Sequence, residues 1–170
     1  MSSLKRYIFL SLLTAGAMIL SIIEGMIPLP FIAPGAKLGL TNIVTLTVIV
    51  IFGFKDAMLV TILRCILLMI VAGNPISFTY SIISGTLSVT AMFLSLKYFG
   101  KYFSLIGISV IGALTHNASQ ITVAAVMFEN IMMFTYLPIL SLMSIFTGCF
   151  VGYTSIFASD NLNKNLLHMS

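Results

Sequence analysis

Arg64 stands near the middle of the apolar run Ala57–Ala72. If that run crosses lipid, a charge at its centre costs about 2.5–3.5 kcal/mol even on the lenient insertion scale, so the side chain must face protein or a polar cavity. A guanidinium there suits an anionic ligand group. Satisfied by helix carbonyls or by Glu24, or snorkelling to an interface, it would be structural instead. His116 and Gln120 are four residues apart and share a helix face, with Asn117 beside them. Side chains this polar at membrane depth avoid lipid; they either bond neighbouring helices as packing glue or line a pocket. Glu24 and Asn42 lie near the same depth, and Lys37 sits in the intervening loop. The candidate ligand-binding residues are Glu24, Lys37, Asn42, Arg64, His116, Asn117 and Gln120, with Arg64 as the anion binder.

Catalytic machinery is not legible. Gly35-Ala36-Lys37 has a faint look of a phosphate loop, but the GxxxxGK[ST] spacing is missing. The two aspartates, Asp56 and Asp160, are far apart, so no paired carboxylates stand ready for Mg²⁺ on a diphosphate. No Ser/His/Asp or Cys/His set has a plausible spacing, and His168 sits in the tail. Cys65 and Cys149 lie in apolar segments outside any CxxC or Cys/His pattern, which reads as buried, inert thiols and neither a disulfide nor a metal site. The expectation is a protein that binds a small molecule without transforming it, with no metal and no cofactor.

The elements that would position these residues are membrane helices. Hydrophobic residues make up 59% of the 170 and charged residues 7%, against roughly 25% charged in a soluble domain. So much apolar surface cannot be buried inside one small globule, and lipid must be the outer solvent. The net charge of +4 comes from cations spread singly or in pairs at segment ends, which excludes a nucleic-acid signature. Six spans are expected within a single domain, at about 7–27, 38–52, 57–72, 76–96, 103–128 and 131–158, followed by a polar tail from Ser159. The first could pass for a signal peptide but lacks a convincing small-x-small cleavage site before Pro28, and is read as retained. It carries Ser11/Ala15 and Ala17/Ser21 at helical spacing, suited to internal packing or to docking on another membrane protein. The second is short for a full crossing.

With the N-terminus in the cytoplasm, Lys5, Arg6, Lys55, Lys97, Lys101 and Lys164 fall on that side and Lys37 falls outside. This asymmetry predicts cytoplasmic N- and C-termini and an all-α, multi-pass protein. The stretch Pro28–Asn42, with prolines at 28, 30 and 34 and glycines at 35 and 39, then becomes an extracellular loop. It is read as a lid or wall over the polar residues beneath.

The segments PGAKLGLTNIVTL, GFKDAMLVTILRCIL, SGTLSVTAMFL and ISVIGALTHNASQ, spread over nearly the whole chain, resemble the bacterial Gx transporters. That family also carries the description heptaprenyl diphosphate synthase component I. It is similar in turn to the substrate-binding (S) subunits of energy-coupling-factor transporters. The resemblance implies a six-helix subunit of the bacterial plasma membrane that binds a micronutrient or cofactor precursor near the extracellular face. It also implies a transmembrane coupling subunit and an ATPase pair as partners, with docking through the first helix. The docking pattern in those subunits is AxxxA; the nearest match here is Ser11/Ala15. The alternatives are an accessory membrane subunit of prenyl diphosphate or menaquinone synthesis, in which Arg64 or Lys37 would meet a diphosphate, and a scaffold for a membrane redox system.

Overall fold

The computed structural model describes residues 3–26 and 39–168. It forms six helices: α1 Ser3–Met26, α2 Asn42–Phe52, α3 Phe54–Ala72, α4 Pro75–Phe99, α5 Leu105–Met127 and α6 Leu137–His168, with a 3₁₀ turn at Ile131–Tyr136 before the last. Four stretches are long and apolar enough to cross a membrane: Leu4–Met26, Pro75–Phe99, Leu105–Met127 and Ile131–Leu162. The protein is an all-α membrane protein. Helix α3 has 19 residues, about 28 Å, but Lys55, Asp56 and Arg64 keep it out of that apolar class.

Local chemistry sets the helix ends. Gly53 (φ +89°) alone separates α2 from α3, and Gly73 (φ +63°) ends α3 in a conformation that a side chain would strain. Asn74 caps α4, its side chain accepting from Ser77 N at 3.0 Å, with Pro75 in the first helical position. Ser104 caps α5 through Gly107 N at 3.4 Å. The expected span 131–158 lies within the continuous apolar stretch Ile131–Leu162, which opens as a 3₁₀ turn and continues as α-helix. Asn130 accepts from Met132 N at 2.9 Å and starts the 3₁₀ turn, and α6 proper begins at Leu137 so that Pro138 falls in its first turn. At the other end α6 runs through the polar tail to His168.

The helices pack as a chain of neighbours, α1 on α3, α3 on α4, α4 on α5 and α5 on α6, with α2 held against α3 and α6 inside the bundle. Residues 44–49 of α2 are buried without a break. Helix α1 is peripheral, burying one stripe (Leu10, Thr14, Ala17, Ser21, Glu24) and presenting Tyr7, Ile8, Leu12, Ile19 and Ile23 outward. Its N-terminal end is tied to α3 by an ion pair, Arg6 Nε and Nη2 donating to Asp56 Oδ2 at 2.8 and 2.5 Å. Asp56 lies in the first turn of α3, where the helix dipole also favours a carboxylate. The α5–α6 contact is closest at two glycines. A Cβ on Gly148 would come within 2.6 Å of Val110 Cα, and one on Gly152 within 2.5 Å of Ile106 Cα. This is the small-xxx-small approach that membrane helices use in place of a hydrophobic drive.

Of the two thiols, Cys65 is buried as expected; Cys149 is exposed on α6 between the outward-facing Phe146 and Phe150. An apolar segment fixes depth in the membrane, not the side of the helix a residue takes.

A buried polar site around Arg64

The buried stripe of α1 changes character along its length, from Leu10 and Ala17 to Ser21 and Glu24, which are 2% and 3% exposed. Glu24 Oε1 accepts from the backbone N–H of Gly39, and Leu40 N lies 3.4 Å from the same oxygen. The carboxylate therefore satisfies backbone donors of a non-helical segment at the mouth of α2, where bulk water is excluded. That segment turns tightly through Gly39 (φ +82°), with Asn42 N donating to Gly39 O at 2.9 Å.

Arg64, 3% exposed, reaches this point from α3. Its Nη1 donates to Ser21 Oγ at 2.9 Å and to Thr41 Oγ1 at 2.7 Å, and its Nη2 lies 3.7 Å from Cys65 Sγ. All of these partners are neutral, and Nε has no hydrogen-bond partner. Arg6, by contrast, is ion-paired with Asp56 at the other end of α1 and α3. One side of the Arg64 guanidinium is thus fixed in place. The Nε–Nη2 edge, the fork that matches two oxygens of a carboxylate or phosphate, has spare donor capacity.

The surroundings of that edge are polar and tight. Thr61 Oγ1, one turn earlier on α3, and the Tyr80 hydroxyl of α4 are buried without partners. Gly85 of α4 faces both α3 residues: a Cβ there would sit 2.9 Å from Thr61 Cγ2 and 3.4 Å from Arg64 Nη2. From α5, Gln120 Nε2 lies 3.2 Å from His116 Nε2. His116 and Asn42 meet at Gly39, where a Cβ would be 3.6 Å from His116 Cδ2 and 3.1 Å from Asn42 Nδ2. The Asn42 Nδ2 donor has no partner among the described residues.

Of the residues singled out from sequence, Glu24, Asn42, Arg64, His116 and Gln120 converge on one buried neighbourhood. Asn117 does not join them. Its Nδ2 donates to Ser144 Oγ at 2.7 Å and to Leu140 O at 3.4 Å, which turns it towards α6. Lys37 and the loop through residue 38 lie outside the described residues. Ser11 and Ala15 are exposed and line a groove between α1 and α3. Sequence reasoning missed Ser21, Thr41, Thr61, Tyr80 and Gly85. Two of these had a signal: Ser21 is one turn from Glu24, and Thr61 one turn from Arg64.

Chemically the site offers a fixed cation, several neutral donors and acceptors, and a carboxylate already engaged by backbone. Among the described residues no three of His, Cys, Asp and Glu gather as a metal site. No curated protein and no solved structure matches the chain. The family model described as heptaprenyl diphosphate synthase component I matches residues 13–157, and the chain belongs to that family.

Proposed function

We propose that the protein is the substrate-binding membrane subunit of a transporter of the energy-coupling-factor kind. It captures a small anionic micronutrient or cofactor precursor and has no ATPase or other catalytic activity of its own. One observation carries the reading: a buried guanidinium whose hydrogen-bond partners are neutral and whose Nε donor is unused. Glu24, the carboxylate of this neighbourhood, accepts from backbone N–H groups. An intramembrane cation bonded directly only to neutral groups is costly, and an anionic ligand would supply a direct charged partner. Thr61, Tyr80, Asn42, His116 and Gln120 supply the uncharged contacts that would set specificity. In this reading the protein sits in a bacterial plasma membrane, and a coupling subunit with two ATPases provides the energy.

Native mass spectrometry of the protein purified in mild detergent tests the capture step. A small anion should co-purify, and Arg64→Ala should release it while circular dichroism stays that of the parent. An unchanged adduct in Arg64→Ala sinks the assignment. Co-purification tests the coupling step, with recovery of a membrane subunit and an ATPase pair expected. The family's description supports a second reading, an accessory subunit of prenyl diphosphate synthesis. Recovery of a soluble synthase in place of the ATPases would favour it.

A further inference from the structure

A groove of about 260 Å³ runs between α1 and α3, separate from the Arg64 site and opening outward from the bundle. Tyr7, Ser11 and Ala15 form one wall and Leu59, Leu63 and Leu67 the other. The leucines recur at every fourth residue, so they make a single row along α3. That row continues to Lys55, four residues before Leu59 and exposed at the start of the helix. The inner floor contains Leu10 and Thr14 of α1, and their row begins, again four residues earlier, at Arg6. Both apolar rows therefore start from a cation at the same end of the bundle. The Arg6–Asp56 ion pair sits between them and holds the two helices together there. Lys55 carries no ion pair among the described residues.

We propose that this groove binds one anionic phospholipid, with an acyl chain along the Leu59–Leu67 row and the phosphate at Lys55 beside Arg6. From Leu59 to Leu67 the row is about 12 Å long, which suits the upper part of an acyl chain lying along the bundle axis. The small side chains of Ser11 and Ala15 leave the width for it. Charge complementarity selects the occupant. An apolar partner helix gains nothing from a lysine at the head of the row, and a zwitterionic lipid gains less than an anionic one because its own ammonium offsets the phosphate. A basic residue at the membrane surface therefore favours an anionic headgroup. Positive-inside bookkeeping puts this end in the cytoplasmic leaflet.

The test uses the full chain in detergent, titrated with dioleoylphosphatidylglycerol or dioleoylphosphatidylcholine and read by native mass spectrometry. One phosphatidylglycerol per chain should be retained under activation that strips phosphatidylcholine. Lys55→Gln should lower that retention about fivefold and leave phosphatidylcholine unaffected. Ala15→Phe, which fills the groove, should remove the bound lipid; Leu63→Phe, also within the groove, gives the same readout should the first variant fail to fold. Equal retention of the two lipids overturns the proposal, as does an unchanged phosphatidylglycerol adduct in Lys55→Gln or in both filled variants. A groove that carries a second copy or another membrane protein in place of lipid, with the assembly mass falling in Ala15→Phe, overturns it equally.

Discussion

His116 and Asn117 are adjacent in sequence and equally buried, yet they serve two different regions of the bundle. The roughly 100° between successive helical residues sends His116 towards Gly39 and Asn42 and Asn117 towards Ser144 of α6. Around Asn117 the helices touch through glycine: Gly148 and Gly152 bring α6 against the backbone of α5, and the asparagine and serine hydroxyl close the gap between carbonyls. Around Arg64 four structural pieces meet (α1, the turn before α2, α3 and α4), and the guanidinium, Thr61 and Tyr80 hold polar atoms without partners. Polarity by itself does not make a ligand site in a membrane protein. Asn117 Oδ1 also lacks a partner, so an unpartnered atom does not separate the two regions. The site adds a charged guanidinium with a free donor, whereas the glue has neutral groups between close backbones.

This contrast is open to direct attack, starting where the effect should be largest. Arg64→Ala should weaken capture of the co-purifying anion by about 100-fold or more, within the 2–5 kcal/mol seen when one partner of a buried charge pair is lost. Titration calorimetry on refilled protein reads it; a loss under tenfold would move Arg64 into the structural class with Asn117. Next comes Gly152→Leu, which drives a side chain into the Ile106 backbone and should cost about 2–3 kcal/mol of stability. Its detergent melting midpoint should drop with affinity in the surviving fraction unchanged, and a parallel loss of affinity would mean that the two regions are coupled.

Gly85→Ala sharpens the comparison from the other side. The new methyl contacts Thr61 and Arg64, so affinity should fall about tenfold, the equivalent of about 1.4 kcal/mol, with little change in melting. Smallest is Asn117→Ala. It should lower stability by about 0.6–1 kcal/mol, the usual worth of an interhelical side-chain hydrogen bond in membranes, and leave the dissociation constant within about twofold.

Arg64 was visible in the sequence because a charge in an apolar run has no inexpensive explanation. Its partners were not. Ser and Thr are common in this chain and most can satisfy themselves on their own helix, as Thr14 does on Leu10 O at 2.7 Å and Thr47 on Ile43 O at 2.7 Å. A sequence does not distinguish these from Ser21 and Thr41, which accept from Arg64. The His116–Gln120 pair followed from i, i+4 spacing, but which of His116 and Asn117 would face the site depended on helix rotation, which packing sets. Six helices were legible from hydropathy and from Gly and Pro punctuation. The 3₁₀ opening of the last span was not legible, because an apolar run does not show whether its first turns wind as 3₁₀ or as α-helix. The enclosure of α2 was also illegible, since a continuous apolar run looks the same against lipid and against protein.

That enclosure has a consequence for how the bundle sits in a bilayer. At 11 residues α2 is about 16 Å long, roughly half of a hydrocarbon core. A lipid-facing helix of that length would force the membrane to thin around it. Because α2 is walled in by its neighbours, hydrocarbon thickness is matched by the longer helices around it, and the short helix imposes no mismatch. The depth it leaves unfilled is where Gly39, Leu40 and Thr41 enter the membrane as irregular backbone, shielded from acyl chains by the longer helices.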